Sequence, residues 1–304
     1  MRLHVVGNVC VDTSFRLTRL PRPGETLNAS STVEGIGGKG ANQAVAAARS
    51  GAVVCLWAPL GDDDIAGRVT EMLKSDLEVD QLVHLPFPTD RSTILVEEGG
   101  ENTIVSAVAC ARAFDPVRQT ALAKTWSKND ILLMQGNLSR EVTATCLKLA
   151  KESGLKTVLN ASPLSDLKVE DLADVDLVIV NQGEASALTG RESPAIAADL
   201  LSDKRARNVV VTLGSQGGIV WDQADHAPII LEAQKCAVVD TSGAGDCFAG
   251  VLVGLLAQGE NLVAAAKLAT KAAAISVARP GTLASYPSRA EISEIIKRSE
   301  LENT

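Results

Sequence analysis

The stretch Asp240-Thr-Ser-Gly-Ala-Gly-Asp246-Cys-Phe-Ala-Gly holds the residues best suited to chemistry in this chain of 304. A strand-like run, Ala237-Val-Val, leads into it and an apolar helical run follows. The pattern is a glycine turn opening a helix. Gly243, Ala244 and Gly245 there aim successive backbone N–H groups at one point, and the helix dipole adds partial positive charge. Such a cradle suits a phosphate, or the charge that builds on a phosphoryl group in transfer. Asp246 falls in the first helical turn, where a carboxylate is favoured, and a carboxylate takes a proton from an attacking hydroxyl. The same residues would also make a plain tight turn with an acidic first-turn residue.

A second glycine-rich stretch, Gly35-Ile-Gly-Gly-Lys-Gly-Ala-Asn42, precedes an Ala-rich helical pattern. It contains G-x-G-x-x-G at Gly35, Gly37 and Gly40, with Asp62 and Asp63 about 20 residues on, as a dinucleotide fingerprint requires. Fingerprint glycines leave the first strand directly, however, and that strand ends near Gly7. Lys39 is followed by Gly40 rather than Ser or Thr, so the loop is not a Walker A motif. Two readings remain: a close-approach loop with Asn42 turned to a polar ligand, or a helix entry needing glycine torsions.

Three weaker signals follow strands. Asn181-Gln-Gly-Glu184 reads as a capping box, or as a polar pair where α/β ligands sit, able to hold hydrated Mg²⁺ near phosphates. Thr212-Leu-Gly-Ser-Gln-Gly217-Gly218 reads as a hairpin turn into residues 219–221, or as close backbone approach to a ligand. Asp12 lies just past the first strand; a lone acid there is solvated unless neighbouring loops complete a site.

These residues need a scaffold, and the pattern around them supplies one. Short β-branched runs at 3–6, 53–57, 131–134, 157–159, 177–180 and 209–212 read as strands. Helical periodicity falls at 40–50, 65–73, 140–153, 184–188 and 194–201, and again after Val239 almost to the end. Alternating β and α units imply a parallel sheet with helices on both faces. Two segments, about 13–37 and 83–109, break the rhythm with turn-rich or alternating sequence. They read as a small β element, with Gly99-Gly100 as a hairpin tip. One large α/β domain with a lid accounts for the whole length.

Composition excludes several functions. Lys+Arg 29 against Asp+Glu 37 leaves a net charge of −8, which disfavours nucleic acid and anionic membranes as partners. Aromatic residues are 3% of the chain, too few for base-stacking platforms. The six cysteines show no C-x-x-C spacing, so neither a disulfide framework nor a zinc site is read, and a reducing cytoplasm is expected. Three scattered histidines leave a carboxylate as the expected base. No run of about 18 apolar residues suggests a membrane span, and the start lacks a signal-like h-region.

Taken together and in order, these motifs resemble the ribokinase-like (PfkB) family of carbohydrate kinases, over essentially the whole chain. Gly37-Gly-Lys-Gly-Ala-Asn42 is similar to the family's first signature and Asp240-Thr-Ser-Gly-Ala-Gly-Asp246 to its second. The resemblance implies a doubly wound, mostly parallel sheet with a small β-sheet lid. It also implies transfer of the ATP γ-phosphoryl group to a sugar hydroxymethyl. Asp246 would be the base and Gly243, Ala244 and Gly245 the anion hole. Asp12, Gly38, Lys39, Asn42 and Asn137 would bind the sugar. Asn181 and Glu184 would serve Mg²⁺ and phosphates, Thr212, Gly214 and Gly217 the nucleotide, and Thr270 the adenine. A monovalent cation, K⁺, would sit at Asp240, Ser242, Ser276, Arg279, Gly281 and Ser285, in part on carbonyl oxygens. A homodimer through the lid is also implied.

Two departures matter. Cys10 stands where ribokinase has Asn, and Asn137 where it has a sugar-binding Glu, so the resemblance leaves the sugar open. The alternatives are a nucleoside, ketose or sugar-phosphate kinase, or a catalytically silent sugar- or nucleotide-binding regulator. A sugar-phosphate substrate would call for added cations, with Arg16, Arg19, Arg22 and Arg91 as candidates.

Overall fold

The computed structural model describes residues 1–98, 102–164, 166–203, 207–223 and 228–302. The expected hairpin tip at Gly99-Gly100 lies outside them. Its strands are β1 (Arg2–Val6), β2 (Cys10–Leu17), β3 (Ser31–Gly37), β4 (Val53–Gly61), β5 (Leu82–Leu85), β6 (Arg91–Glu97), β7 (Asn102–Ala107), β8 (Ile131–Gln135), β9 (Lys156–Asn160), β10 (Leu177–Asn181), β11 (Asn208–Thr212), β12 (Gly218–Asp222) and β13 (Pro228–Leu231). Nine of them form one sheet in the order β13-β12-β11-β10-β9-β8-β1-β4-β5. It is parallel from β5 to β11, and only β12 and β13 run antiparallel to their neighbours.

The strands read as continuous apolar runs because both faces are covered. Leu3, Val5, Ile131, Leu133 and Val210 point into one core, packed by the Lys39–Arg49, Ala244–Ala257 and Leu262–Val277 helices. Val6, Leu132, Met134, Val209 and Val211 point into the other, with the Arg140–Glu152 and Pro194–Asp203 helices. Alternate side chains of one strand thus feed opposite layers. The doubly wound α/β fold is as expected. Among the described residues no helix is long and apolar enough to cross a membrane.

The other four strands form the small sheet, in the order β3-β2-β6-β7. It begins at Cys10, ahead of residue 13, so Asp12 stands on a strand of this sheet. Leu82–Leu85 pairs with β4 and belongs to the large sheet. One expected strand is absent: Ala237–Val239 forms none. Val238 and Val239 are 66% and 52% exposed, and Val239 N–H goes to the Val277 carbonyl rather than to a neighbouring strand. β-branched residues favour a strand only where there is a sheet to join.

Candidate active site

Strand order in the large sheet reverses at β1, which has β4 on one side and β8 on the other. Ligands of open α/β sheets sit outside the carboxyl ends of strands at such a point. β1 runs out into Gly7 and Asn8, and β8 into Gly136 and Asn137. Between these ends and the small sheet lies a cavity of about 570 Å³. Asp12, Gly38, Lys39, Asn42, Asn137 and Asp246 all line it, together with Ser242 and Gly243.

Asp246 is 5% exposed and held from two sides. Asn42 Nδ2 donates to its Oδ2 at 3.0 Å, and Gln43 Nε2 donates to its Oδ1 at 2.9 Å. Lys39 Nζ lies 3.7 Å from Oδ1. Gln43 Oε1 accepts from Gln135 Nε2 at 3.0 Å. All three contacts to Asp246 come from the start of the Lys39–Arg49 helix. That helix approaches the Ala244–Ala257 helix closely because Gly250 offers no side chain: a Cβ there would lie 2.4 Å from the Gln43 carbonyl oxygen. The small-residue contact therefore sets where Asp246 meets its amides. Asn42 Oδ1 and Asn137 Oδ1 are buried acceptors without a partner among the described residues, a cost that a hydroxyl-bearing ligand would relieve.

The anion cradle takes shape at the start of the Ala244–Ala257 helix. Gly243 is its N-cap, at φ 74 and with no side-chain cap. The N–H groups of Gly245 and Asp246 therefore make no hydrogen bond among the described residues. Unpaired first-turn amides with the dipole behind them fit a phosphate group. Gly243 is fixed from behind by Tyr286, whose hydroxyl donates to its carbonyl at 2.8 Å. Burial pushes the Tyr286 phenol well above its usual value, so it stays a donor.

Asp12 sits in a row across the small sheet. It pairs in register with Ser92 on β6, and Ser92 with Ser106 on β7. Side chains directly opposite share a face, so a polar row faces the cavity. Ser92 and Ser106 hydroxyls lie 2.9 Å apart, and the Cys10 thiol donates to Asp12 Oδ1 at 3.0 Å. Burial pushes the Asp12 carboxyl up, the Cys10 and Ser92 contacts pull it down, and nearby Asp246 adds to the rise. Burial, then Asp12, pushes the Cys10 thiol far up as well, so it is no thiolate near neutrality.

Of the six residues expected around a monovalent cation, Asp240 and Ser242 precede the Ala244–Ala257 helix, Ser276 is in the last turn of the Leu262–Val277 helix, and Arg279, Gly281 and Ser285 follow it. Asp240 Oδ1 accepts from Ser242 N–H at 2.9 Å and its Oδ2 from Gly281 N–H at 3.0 Å, tying the two loops together. Ser276 and Ser285 hydroxyls donate to the Ala273 and Thr282 carbonyls, and the Arg279 guanidinium pairs with Glu291. The serines and Arg279 would thus serve a cation through main-chain carbonyls, with Asp240 the anionic group. Asn181 and Glu184 form a reciprocal capping box at 2.8 Å in each direction, leaving Glu184 Oε1 without a hydrogen bond among the described residues. Thr212, Gly214 and Gly217 stand at the turn of the β11–β12 hairpin, so that turn is a hairpin first. Thr270 Oγ1 donates to the Ala266 carbonyl. None of these nucleotide-side residues lines the cavity around Asp246. Gly35 and Gly37 of the dinucleotide-like pattern are inside β3, an edge strand of the small sheet, and not in the first strand-to-helix turn.

Gln43, Gln135, Ser92, Ser106 and Tyr286 were not singled out by the sequence. Gln43 carried one signal, a second amide beside Asn42 in the otherwise apolar buried run of an Ala-rich helix. The others depend on register or long-range packing.

Residues 2–289 match the pfkB family carbohydrate kinase family. Mouse ribokinase is 31% identical over 298 residues, covering 95% of this chain and 92% of that protein. Deoxyribokinase of Salmonella typhi is 31% identical over 311 residues, covering 99% and 100%. The crystal structure of ribokinase from Cryptococcus neoformans var. grubii serotype A in complex with ADP superposes with a TM-score of 0.82 at 33% identity, covering 96% of this chain and 99% of that one.

Proposed function

Since the chain belongs to the pfkB family of carbohydrate kinases, we propose that it transfers the ATP γ-phosphoryl group to a hydroxymethyl of a small sugar, with Asp246 as the general base. The observation that carries this reading is the Asp246 carboxylate, gripped by Asn42 and Gln43 in a cavity beside uncapped helix N–H groups. A hydroxymethyl beside Asp246 gives up its proton as its oxygen attacks phosphorus, and the Gly243, Gly245 and Asp246 amides meet the charge on the transferred group, the expected Ala244 N–H being spent on the Thr241 carbonyl. Lys39, close to Asp246, adds a positive charge on the same side. Asp12, Gly38, Asn42 and Asn137 orient the sugar. Mg²⁺, when bound with ATP, neutralises phosphate charge; Asn181 and Glu184 would hold its hydration shell, and Thr212, Gly214, Gly217 and Thr270 would border the nucleotide.

K⁺ at the loops around Asp240 would brace the anion cradle, because Ser242 and Gly243 continue directly from it. The large α/β unit and the lid work as one domain, in a reducing cytoplasm. The lid edge strands β3 and β7 expose Val33, Ile104 and Val105 at 63%, 55% and 68%, which supports a homodimer formed through the lid. Light scattering at micromolar concentration is expected to give twice the 31.7 kDa chain mass. Ribokinase and deoxyribokinase stand at equal identity, 31%, so likeness alone leaves the sugar open. ADP release with ATP, Mg²⁺ and a panel of pentoses, hexoses, ketoses and nucleosides, with and without K⁺, tests the reading. Acceptor-dependent ADP supports it, and silence across the panel favours a binding regulator.

A further inference from the structure

We infer that the preferred acceptor carries a negatively charged group, a carboxylate or a phosphate, and that Arg112 recognises it. The inference rests on the kinase reading above and narrows its substrate class.

Arg112 lines the cavity that holds Asp12, Asn137 and Asp246. It sits on the Ala109–Ala113 helix, directly after lid strand β7. Asp90, 2% exposed at the foot of β6, accepts the N–H groups of Cys110 at 2.9 Å and Ala111 at 3.0 Å. The Cys110 thiol donates to the Pro88 carbonyl at 3.2 Å. This segment is therefore anchored through two backbone N–H groups and the Cys110 thiol, and Arg112 is presented to the cavity from that base.

The backbone N–H of Arg112 goes to the Val108 carbonyl, and its guanidinium makes no hydrogen bond or ion pair among the described residues. Arg19, Arg49, Arg68, Arg140 and Arg279, by contrast, each pair with a carboxylate. The cavity's own carboxylates are engaged elsewhere. Asp246 takes Asn42, Gln43 and Lys39, and Asp12 takes the Cys10 thiol. Asn137, Gly136 and Pro163, which share the cavity with Arg112, bring no negative charge. Arg16, Arg19, Arg22 and Arg91, the cations suggested by the sequence, do not line this cavity. A neutral sugar offers Arg112 only hydroxyls. A carboxylate or phosphate matches the planar fork and its charge. With the transferred hydroxymethyl at Asp246, the anion would sit at the other end of a short chain.

The test uses the full chain with MgATP and K⁺, following ADP release. D-ribose and 2-deoxy-D-ribose are the neutral acceptors, D-ribonate the carboxylate and D-fructose 6-phosphate the phosphate. We expect kcat/KM for one anionic acceptor to exceed both neutral sugars by roughly tenfold to a hundredfold, the range of a charge-assisted hydrogen bond. Which of the two anions wins separates a sugar acid from a sugar phosphate. Arg112→Gln should bring the anionic-to-neutral ratio toward one through KM, and Arg112→Lys should restore part of it. Arg91→Gln, outside the cavity, should leave the ratio as it was. Neutral sugars turned over better than both anions would overturn the inference while leaving the kinase reading standing. So would an equal fall in kcat for every acceptor in Arg112→Gln, which would assign the guanidinium to the transferred phosphoryl group. No ADP from any acceptor would instead sink the kinase reading, and this inference with it.

Discussion

The side-chain amide of Gln43 donates to Asp246 Oδ1 at 2.9 Å from a position with 0% exposure. Gln43 cannot touch a sugar, so its effect on the reaction is to aim the carboxylate. Its own orientation is set by Gln135, which donates to its Oε1 at 3.0 Å.

Gln43→Leu removes a donor from Asp246 and strands the Gln135 amide. An unsatisfied buried donor costs about 1–3 kcal/mol, so the melting temperature should fall. kcat should fall with little change in sugar KM, since the carboxylate remains but is no longer aimed. Adding Gln135→Leu should return part of the stability, because both partners are then apolar, but not the rate. Calorimetry and steady-state kinetics on the single and double variants give the cycle. A single variant with parental kcat would remove the aiming role.

Tyr286 and Gly243 form a second positioning pair. Tyr286→Phe loses the hydrogen bond to the Gly243 carbonyl and should lower kcat several-fold while ATP still binds. Gly243→Ala is the harsher change. Its φ of 74 disfavours any side chain, and the new Cβ would lie 2.5 Å from Thr282 Cγ2 and 2.8 Å from the Tyr286 hydroxyl. Strain of about 1–2 kcal/mol from the left-handed backbone alone is expected, with a larger loss of kcat than in Tyr286→Phe. Equal activity of Gly243→Ala and the parent would argue against an anion cradle there.

Asp12 links pH to substrate binding. Burial raises its carboxyl above the ordinary 3.8, so the folded protein holds this proton more tightly than the unfolded chain. Its contribution to stability is therefore greatest below 3.8 and is lost as pH rises through the folded value. At neutral pH the buried charge is a cost, and Asp12→Asn should keep or raise the melting temperature. The same change removes a charged acceptor, so sugar KM should rise about tenfold or more. In the parent enzyme sugar KM should climb as pH falls toward the Asp12 value, and in Asp12→Asn that limb should disappear. A variant with parental KM would take Asp12 out of the sugar site.

Much of the scaffold was legible because burial on both faces writes plain apolar runs. Residues 131–134 and 177–180 are buried strands, as their composition implied. The turn at Gly243 and Asp246 was legible because a left-handed cap and a first-turn acid are local requirements. What remained hidden depends on pairing between distant segments. Ser92 and Ser106 matter because they fall in register with Asp12, and no local pattern in β6 or β7 reveals that register. Ala237–Val239 had strand propensity but no neighbouring strand. Arg112 carries no local signal, because the sequence does not show which arginine near the lid reaches the cavity. The residue that reaches the cavity stands just beyond them, on a short helix held by Asp90.

The most direct test of the account is Asp246→Asn, followed by sugar-dependent ADP formation alongside calorimetric titration of the sugar. Asn keeps the shape and one acceptor oxygen but cannot take the proton. The account predicts that kcat falls about a hundredfold or more while the sugar still binds within a few-fold of the parental affinity. An Asp246→Asn enzyme that turned over at the parental rate would contradict it.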